Sequence, residues 1–246
     1  MKILFTSDLH GKIEAFESFT KALDSDDFDC GVIAGDLLDD GATNEEVMSL
    51  LGVTEDDLLP EFAFASETYE ESLERQIKEL HKPTSYLMRT LKIKEQQLKD
   101  ILSKTRKPIF IVKGNHDMTD WSSYKNIRNI HGRKVSFRGY SFIGYHYTEF
   151  ERTQGKQRAD FQQIKNHIDN KTILVTHIAA KGVLDYSTEN YSDGSDALRE
   201  LLQQTKPALH LHGHIHGRFG WEGRLVNGAY PCKQKFISIN IGGKKK

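Results

Sequence analysis

Five short apolar runs, each ending in polar residues that a buried strand would not choose, constrain this chain more than any other feature. "KILFTS" leads into Asp8-Leu9-His10-Gly11, "FDCGVIA" into Gly35-Asp36, and "PIFIVK" into Gly114-Asn115-His116-Asp117. "KTILVT" leads into His177, and "PALHLHG" into His214-Ile215-His216-Gly217. The first four runs show no alternation, which at this length fits parallel strands covered on both faces. Ile13, Phe16, Phe19 and Leu23 follow the first run at helical spacing, and helical stretches over residues 160–168 and 196–204 precede the last two. Strand and helix alternate, which predicts an α/β fold with a layered core.

Two regions depart from the alternation. "GRKVSFRGYSFIGYHY" has the turn pattern of a hairpin, and "GRLVNGAY" with "KQKFISINI" reads as another, so a second, mostly antiparallel sheet is expected. Residues 41–107 read as a helical insertion. Leu73, Ile77 and Leu80 form one apolar stripe there, and Leu87, Leu91, Leu98, Ile101 and Leu102 form another, with Pro83 between them. The pair reads as a helical hairpin packing on a single domain that covers the whole chain, with a basic tail over residues 242–246. Its apolar face is also open to a homodimer or to capping a pocket.

Length and charge bound the partners. The 246 residues suit one domain, and a formal charge of −1 gives no global field for nucleic acid or an anionic membrane. No Lys or Arg occurs between Lys21 and Arg75, where acids crowd. The two cysteines, Cys30 and Cys232, are too few for a disulfide framework, and reduced thiols are the default reading. "MKILFTSD" has no leader-like segment, and no apolar run approaches membrane-spanning length, so a cytoplasmic protein is expected.

In open α/β sheets ligands bind beyond the carboxyl ends of the strands, so the five tips should meet. They bring at least two Asp, one Asn and at least four His, all oxygen or imidazole donors. That set is too large for one tetrahedral zinc and suits two ions sharing a carboxylate. Without thiolate it accepts manganese, iron or zinc. Two ions about 3.5–4 Å apart form a clamp for displacement at phosphorus. His210 and His212 lie on the strand before the last tip, on one face of it. His210 reads as a core or interface histidine, and His212 either as the same or as a neighbour of the ligands or substrate. His81, His131, His146 and His167 have no partner motif and read as surface or structural residues.

The ordered set "DLH", "GDLLD", "GNHD", "THI" and "GHIHG" resembles the five motifs of the calcineurin-like metallophosphoesterases. That resemblance implies an αββα sandwich of two mixed sheets. It also implies that Asp8, His10, Asp36 and His216 bind a first metal, and that Asp36 bridges to a second completed by Asn115, His177 and His214. Manganese is the metal it favours, with iron or zinc as alternatives. His116 is implied as the proton donor to the leaving alkoxide after attack by a metal-bridging hydroxide, with Asp117 fixing the orientation of its ring. The stretch "DGSDALRELLQQTKPALHLHGHIHGR" looks most like the small phosphodiesterase branch. This chain departs from that branch in having "HIAAKG" where a proline pair often follows the fourth-motif histidine.

The expected function is therefore a metal-dependent phosphodiesterase acting on a small phosphodiester. A nuclease is the alternative, disfavoured by the acidic start of the insertion, because it should show a basic track. A phosphomonoesterase of the protein-phosphatase kind is a third enzyme reading. A scaffold with a dead site is the reading from another class, and the full motif set argues against it.

Overall fold

The computed structural model describes residues 1–25, 27–38, 92–117, 121, 124–147, 153–188 and 191–242. The stripe positions Leu73, Ile77, Leu80, Leu87 and Leu91, and the basic tail beyond residue 242, lie outside the described residues. The chain divides into two compact units, Met1–Asp39 with Leu98–Lys246, and Asp40–Gln97. In the smaller unit, residues 92–97 are helical.

The larger unit is a sandwich of two mixed sheets with helices outside. In the first sheet the strand order is β11 (Ile237–Asn240), β1 (Lys2–Thr6), β2 (Cys30–Ala34), β3 (Ile109–Val112) and β4 (Ile127–Asn129). Strands β1 to β4 run parallel, and β11 pairs antiparallel to β1 with Lys2 opposite Asn240. The second sheet orders β5 (Val135–Phe137), β6 (Tyr140–Tyr145), β7 (Thr172–Thr176), β8 (Leu209–His212), β10 (Leu225–Asn227) and β9 (Gly220–Glu222). Its centre, from β6 to β10, is parallel, and only the outer strands β5 and β9 are antiparallel.

Alternation along the strands sorts side chains into three cores. Ile3, Phe5, Val32, Phe110 and Val112 face Phe142, Ile173, Val175, Leu209 and Leu211 between the sheets. The phenyl rings of Phe110 and Phe142 stack there at 4.2 Å. On the outer face of the first sheet, Leu4, Ile33 and Ile111 pack with Phe16, Phe19 and Leu23 of α1 (Ile13–Ser25) and with Leu98, Ile101 and Leu102 of a helical segment over residues 98–103. On the outer face of the second sheet, Ile143 and Leu174 meet Phe161 and Ile164 of α2 (Gln154–Lys165) and Leu198 and Leu201 of α3 (Asp196–Thr205).

Three expectations are corrected. The two segments read as a terminal hairpin part company: β10 joins the second sheet, while β11 crosses to the edge of the first. The second sheet is mixed rather than mostly antiparallel, because the long runs of β6, β7 and β8 pair in parallel. Helix α2 begins at Gln154, ahead of the expected 160, because Thr153 caps it by accepting from the Lys156 N–H. Its first turn is polar and leaves little periodic signal. No helix among the described residues is long and apolar enough to cross a membrane.

Candidate metal centre

The tips of β1, β2, β3, β7 and β8 converge as the topology requires. The loop after β1 lies along the loop after β2, with Asp8 N–H donating to Gly35 O at 3.0 Å, His10 N–H to Asp36 O at 3.0 Å and Gly11 N–H to Leu37 O at 2.8 Å. Such a close run of backbone needs unusual torsions. Asp8, His10, Asp36 and His214 all take left-handed φ values, at 58°, 46°, 49° and 66°. Non-glycine residues avoid that region unless their surroundings hold them there, and such strain gathers at functional sites. Gly35, at φ 89°, leaves no room for a side chain: a Cβ would come 2.5 Å from His177 Nδ1 and 2.7 Å from Gly114 N.

Asp36 is the hub. Its Oδ2 lies 3.3 Å from His177 Nε2 and 3.7 Å from His116 Nε2, and its Oδ1 accepts the His116 backbone N–H at 3.1 Å. Asp8 is the second carboxylate. Its Oδ1 lies 3.2 Å from His216 Nε2, both of its oxygens accept the His214 backbone N–H, and Ser7 Oγ donates to Oδ2. His10 Nε2 faces His216 Nε2 at 3.4 Å. Among the described residues, three sets of donor atoms lie within 4.8 Å of one another: Asp8 with His10 and His216, Asp8 with Asp36 and His177, and His10 with Asp36 and His116. Asp8, His10 and Asp36 each belong to two of these sets, and His214 belongs to none of them.

The donors fit divalent cations on chemical grounds. His177 Nδ1 lies 2.8 Å from Ala34 O, a pure acceptor, so the proton sits on Nδ1 and the lone pair of the neutral ring is on Nε2. That lone pair faces two more acceptors, Asp36 Oδ2 and Asn115 Oδ1, the latter at 3.1 Å. A ring of acceptors needs a proton or a metal ion at its centre. In the metal-free chain it is a proton: burial would lower the His177 imidazole, but the Asp36 and Asp8 charges win and push it up to about 9. Burial would likewise raise Asp36, yet the charge and hydrogen bond of His177 hold it well below the usual carboxylate range. Burial works on Asp8 the same way, and the His216 hydrogen bond and His177 charge bring it below its ordinary value. A cation entering here displaces that proton.

The buried Asp117 carboxylate accepts Leu37 N–H and Leu38 N–H at 2.9 Å through Oδ1 and Gly114 N–H at 2.9 Å through Oδ2, so it ties the third tip to the second. Burial, then the charge of Asp36, pushes it up to about 7 against those three donors. His116 packs edge-on against His10 with ring centroids 5.3 Å apart. The His214 ring packs on His177 at 5.0 Å, and its Nε2 lies 2.9 Å from Asp193 Oδ2.

His210 and His212 are fully buried, stacked at 5.2 Å, and outside the donor sets, with His210 Nε2 paired to Thr176 Oγ1 at 2.8 Å. Two neighbours of the centre escaped sequence reasoning. Tyr147, whose ring lies 5.3 Å from His214, follows β6 and carried the same strand-tip signal as the others. Asp193 sits in a loop with no periodicity, and nothing in the sequence marked it.

Parallel strands of a two-sheet α/β sandwich thus deliver carboxylates and imidazoles to one edge, an arrangement able to hold metal ions. The sequence profile of the calcineurin-like phosphoesterases matches residues 1–218, and the chain belongs to that family. Membership makes it a phosphoric ester hydrolase of a kind that uses divalent metals. No curated protein matches the chain. One crystal structure similar to it is 15% identical with a TM-score of 0.64, covering 97% of this chain and 94% of that one. The structure of TT1561 from Thermus thermophilus is 17% identical with a TM-score of 0.53, covering 97% and 98%. At these identities the likeness speaks for the fold.

Proposed function

We propose that the protein is a phosphodiesterase acting on a small phosphodiester, with two divalent cations, manganese foremost, at the strand tips. The observation that carries the reading is Asp36: one buried carboxylate lies between His177 on one side and the donors of the β1 tip on the other. Asp8, His10, Asp36 and His216 hold one cation in this reading, and Asp36, Asn115, His177 and His214 the other. Bound there, the cations supply Lewis-acid charge to the phosphoryl oxygens and lower the pKa of water.

The chain's own part is orientation and proton supply. The His116 side chain is 28% exposed where Asp36 is 2%, so its ring is within reach of a substrate that the bridging carboxylate never touches. Anchoring of its backbone N–H by Asp36 fixes it beside the donors. From there Nε2 delivers a proton to the departing alkoxide, the step a diester with a poor leaving group needs most. The carboxylate, amide and imidazole donors lack thiolate, which supports a harder metal such as manganese. The stretch from Lys21 to Arg75 has no intervening base, which supports a small substrate over a polyanion.

Manganese-reconstituted protein assayed against bis-p-nitrophenyl phosphate, p-nitrophenyl phosphate, cyclic nucleotides and single-stranded DNA tests this. Turnover of the small diesters without DNA cleavage is expected. Efficient cleavage of DNA, or turnover of the monoester alone, would replace the reading with a nuclease or a phosphomonoesterase.

A further inference from the structure

The loop between β7 and α3 turns back on itself and brings Asp193 Oδ2 to 2.9 Å from His214 Nε2. We propose that Asp193 is a positioning residue for the metal centre: it holds His214 in the tautomer protonated on Nε2 and so leaves Nδ1 as the donor atom for the second cation. The inference rests on the reading of His214 as a ligand.

A neutral imidazole has one N–H and one lone pair. A carboxylate accepts, so the nitrogen facing Asp193 is the one carrying the proton. His177 divides its nitrogens by the same rule, with Nδ1 donating to Ala34 O and Nε2 turned to Asp36 and Asn115. Ligand histidines commonly give their other N–H to a carboxylate or carbonyl, which sets ring orientation and raises basicity. The two histidines read as ligands of the second cation would thus each have an outer partner, a carbonyl for one and a carboxylate for the other.

Both members of the pair are anchored, so the contact is held by the surrounding structure rather than by the two side chains alone. His214 is tied through its backbone N–H to Asp8. Asp193 N–H donates to Asp185 O at 3.0 Å. The buried Asp185 carboxylate accepts Gly182 N–H at 2.9 Å and the Ser192 hydroxyl. On the other side, Gly194 packs so tightly that a Cβ would come 2.5 Å from Lys181 Cα, and Ser195 N–H donates to Ala179 O at 2.9 Å. The same loop meets the metal motif again at Gly217, where a Cβ would lie 2.8 Å from Tyr186 O.

Equilibrium dialysis of the full chain against Mn²⁺, run on the parent, Asp193→Ala and Asp193→Asn, decides the matter, with urea unfolding of each protein free of metal as the companion measurement. The parent is expected to bind two ions. Asp193→Ala should keep the first at parental affinity and bind the second about 10–100-fold more weakly. Asp193→Asn, whose amide oxygen still accepts the Nε2 proton, should recover most of that loss, and the metal-free unfolding midpoints should coincide. Equal or tighter binding of the second ion by Asp193→Ala would overturn the role, the latter by showing that Nε2 is the ligand and the carboxylate its competitor. A lowered midpoint with unchanged binding would leave only a structural contact. A parent that binds fewer than two ions overturns the two-cation reading itself, a failure seen without either variant.

Discussion

Asp36 and His116 are adjacent in space and separable in role. Asp36 sits at φ 49° with its carboxylate shared between donor sets. Asparagine tolerates a left-handed backbone, so Asp36→Asn keeps the shape of the loop and removes the charge. We expect this variant to lose Mn²⁺ at both positions in equilibrium dialysis, and retention of both ions would show that Asp36 bridges nothing. His116→Ala should keep both ions and lose about 10²–10⁴-fold in kcat on an alkyl diester. Parental turnover by that variant would remove the general acid from the scheme. The meeting of Asp36 with the imidazoles was legible, because the carboxyl ends of parallel strands come together at one edge of an open sheet. The backbone contacts of Asp117 were not legible, since its three N–H donors lie up to 80 positions away in the chain.

At the scale of elements, β3 and β6 meet just before the third tip. There His146 Nδ1 accepts Lys113 N–H at 2.7 Å, its ring stacks on His131 at 4.1 Å, and Tyr147 N–H donates to Lys113 O at 3.0 Å. Burial, then the neighbouring charges of His131 and Lys113, push the His146 imidazole down to about 2. The folded chain therefore refuses a proton that the unfolded chain takes up below its ordinary value of about 6.5. Stability from this group is complete above that pH and is lost as pH falls, by about 1.4 kcal/mol per pH unit, until the folded value is reached. His146→Gln keeps an acceptor and cannot titrate. Urea midpoints measured from neutral to mildly acid pH should fall less steeply in the variant, by one proton's worth, and parallel slopes would place the titration elsewhere. His146 had read as a surface or structural residue, and its burial at 6% exposure decides for the second. Strands β1, β2, β3 and β7 were legible because their apolar runs are unbroken, whereas β4 and β9, three residues each, carry no such run. The start of α2 was not, because a capping threonine and a polar first turn set it, and periodicity is blind to both.

For the molecule as a whole, the centre joins tips from both sheets: β1, β2 and β3 belong to one, β7 and β8 to the other. Cations held there would link the two layers and favour the folded chain, in which the tips meet. A ligand at about 100 times its dissociation constant stabilises by about 2.7 kcal/mol. Thermal unfolding of Mn²⁺-loaded protein should therefore show a midpoint that drops on chelation, and the drop should be small in Asp36→Asn. An unchanged midpoint in the parent would mean that the tips hold no ion across the sandwich.

By itself the sequence determined the donors and the layers. Apolar runs become strands wherever both faces are covered, and polar residues at their ends cannot enter the core, so the polar tips followed from local chemistry, while the sharing of residues between two cations came from the resemblance of the five motifs. The partition of strands between sheets was decided only in the tertiary structure: β10 and β11 are neighbours along the chain, yet one pairs with β8 and the other with β1. Register and sheet membership depend on which edge is free when the layers close, a property of the assembled backbone that no local pattern carries. The pairing of Asp193 with His214 has the same origin. Twenty-one positions separate them, and only the fold brings a carboxylate from an aperiodic loop to that imidazole.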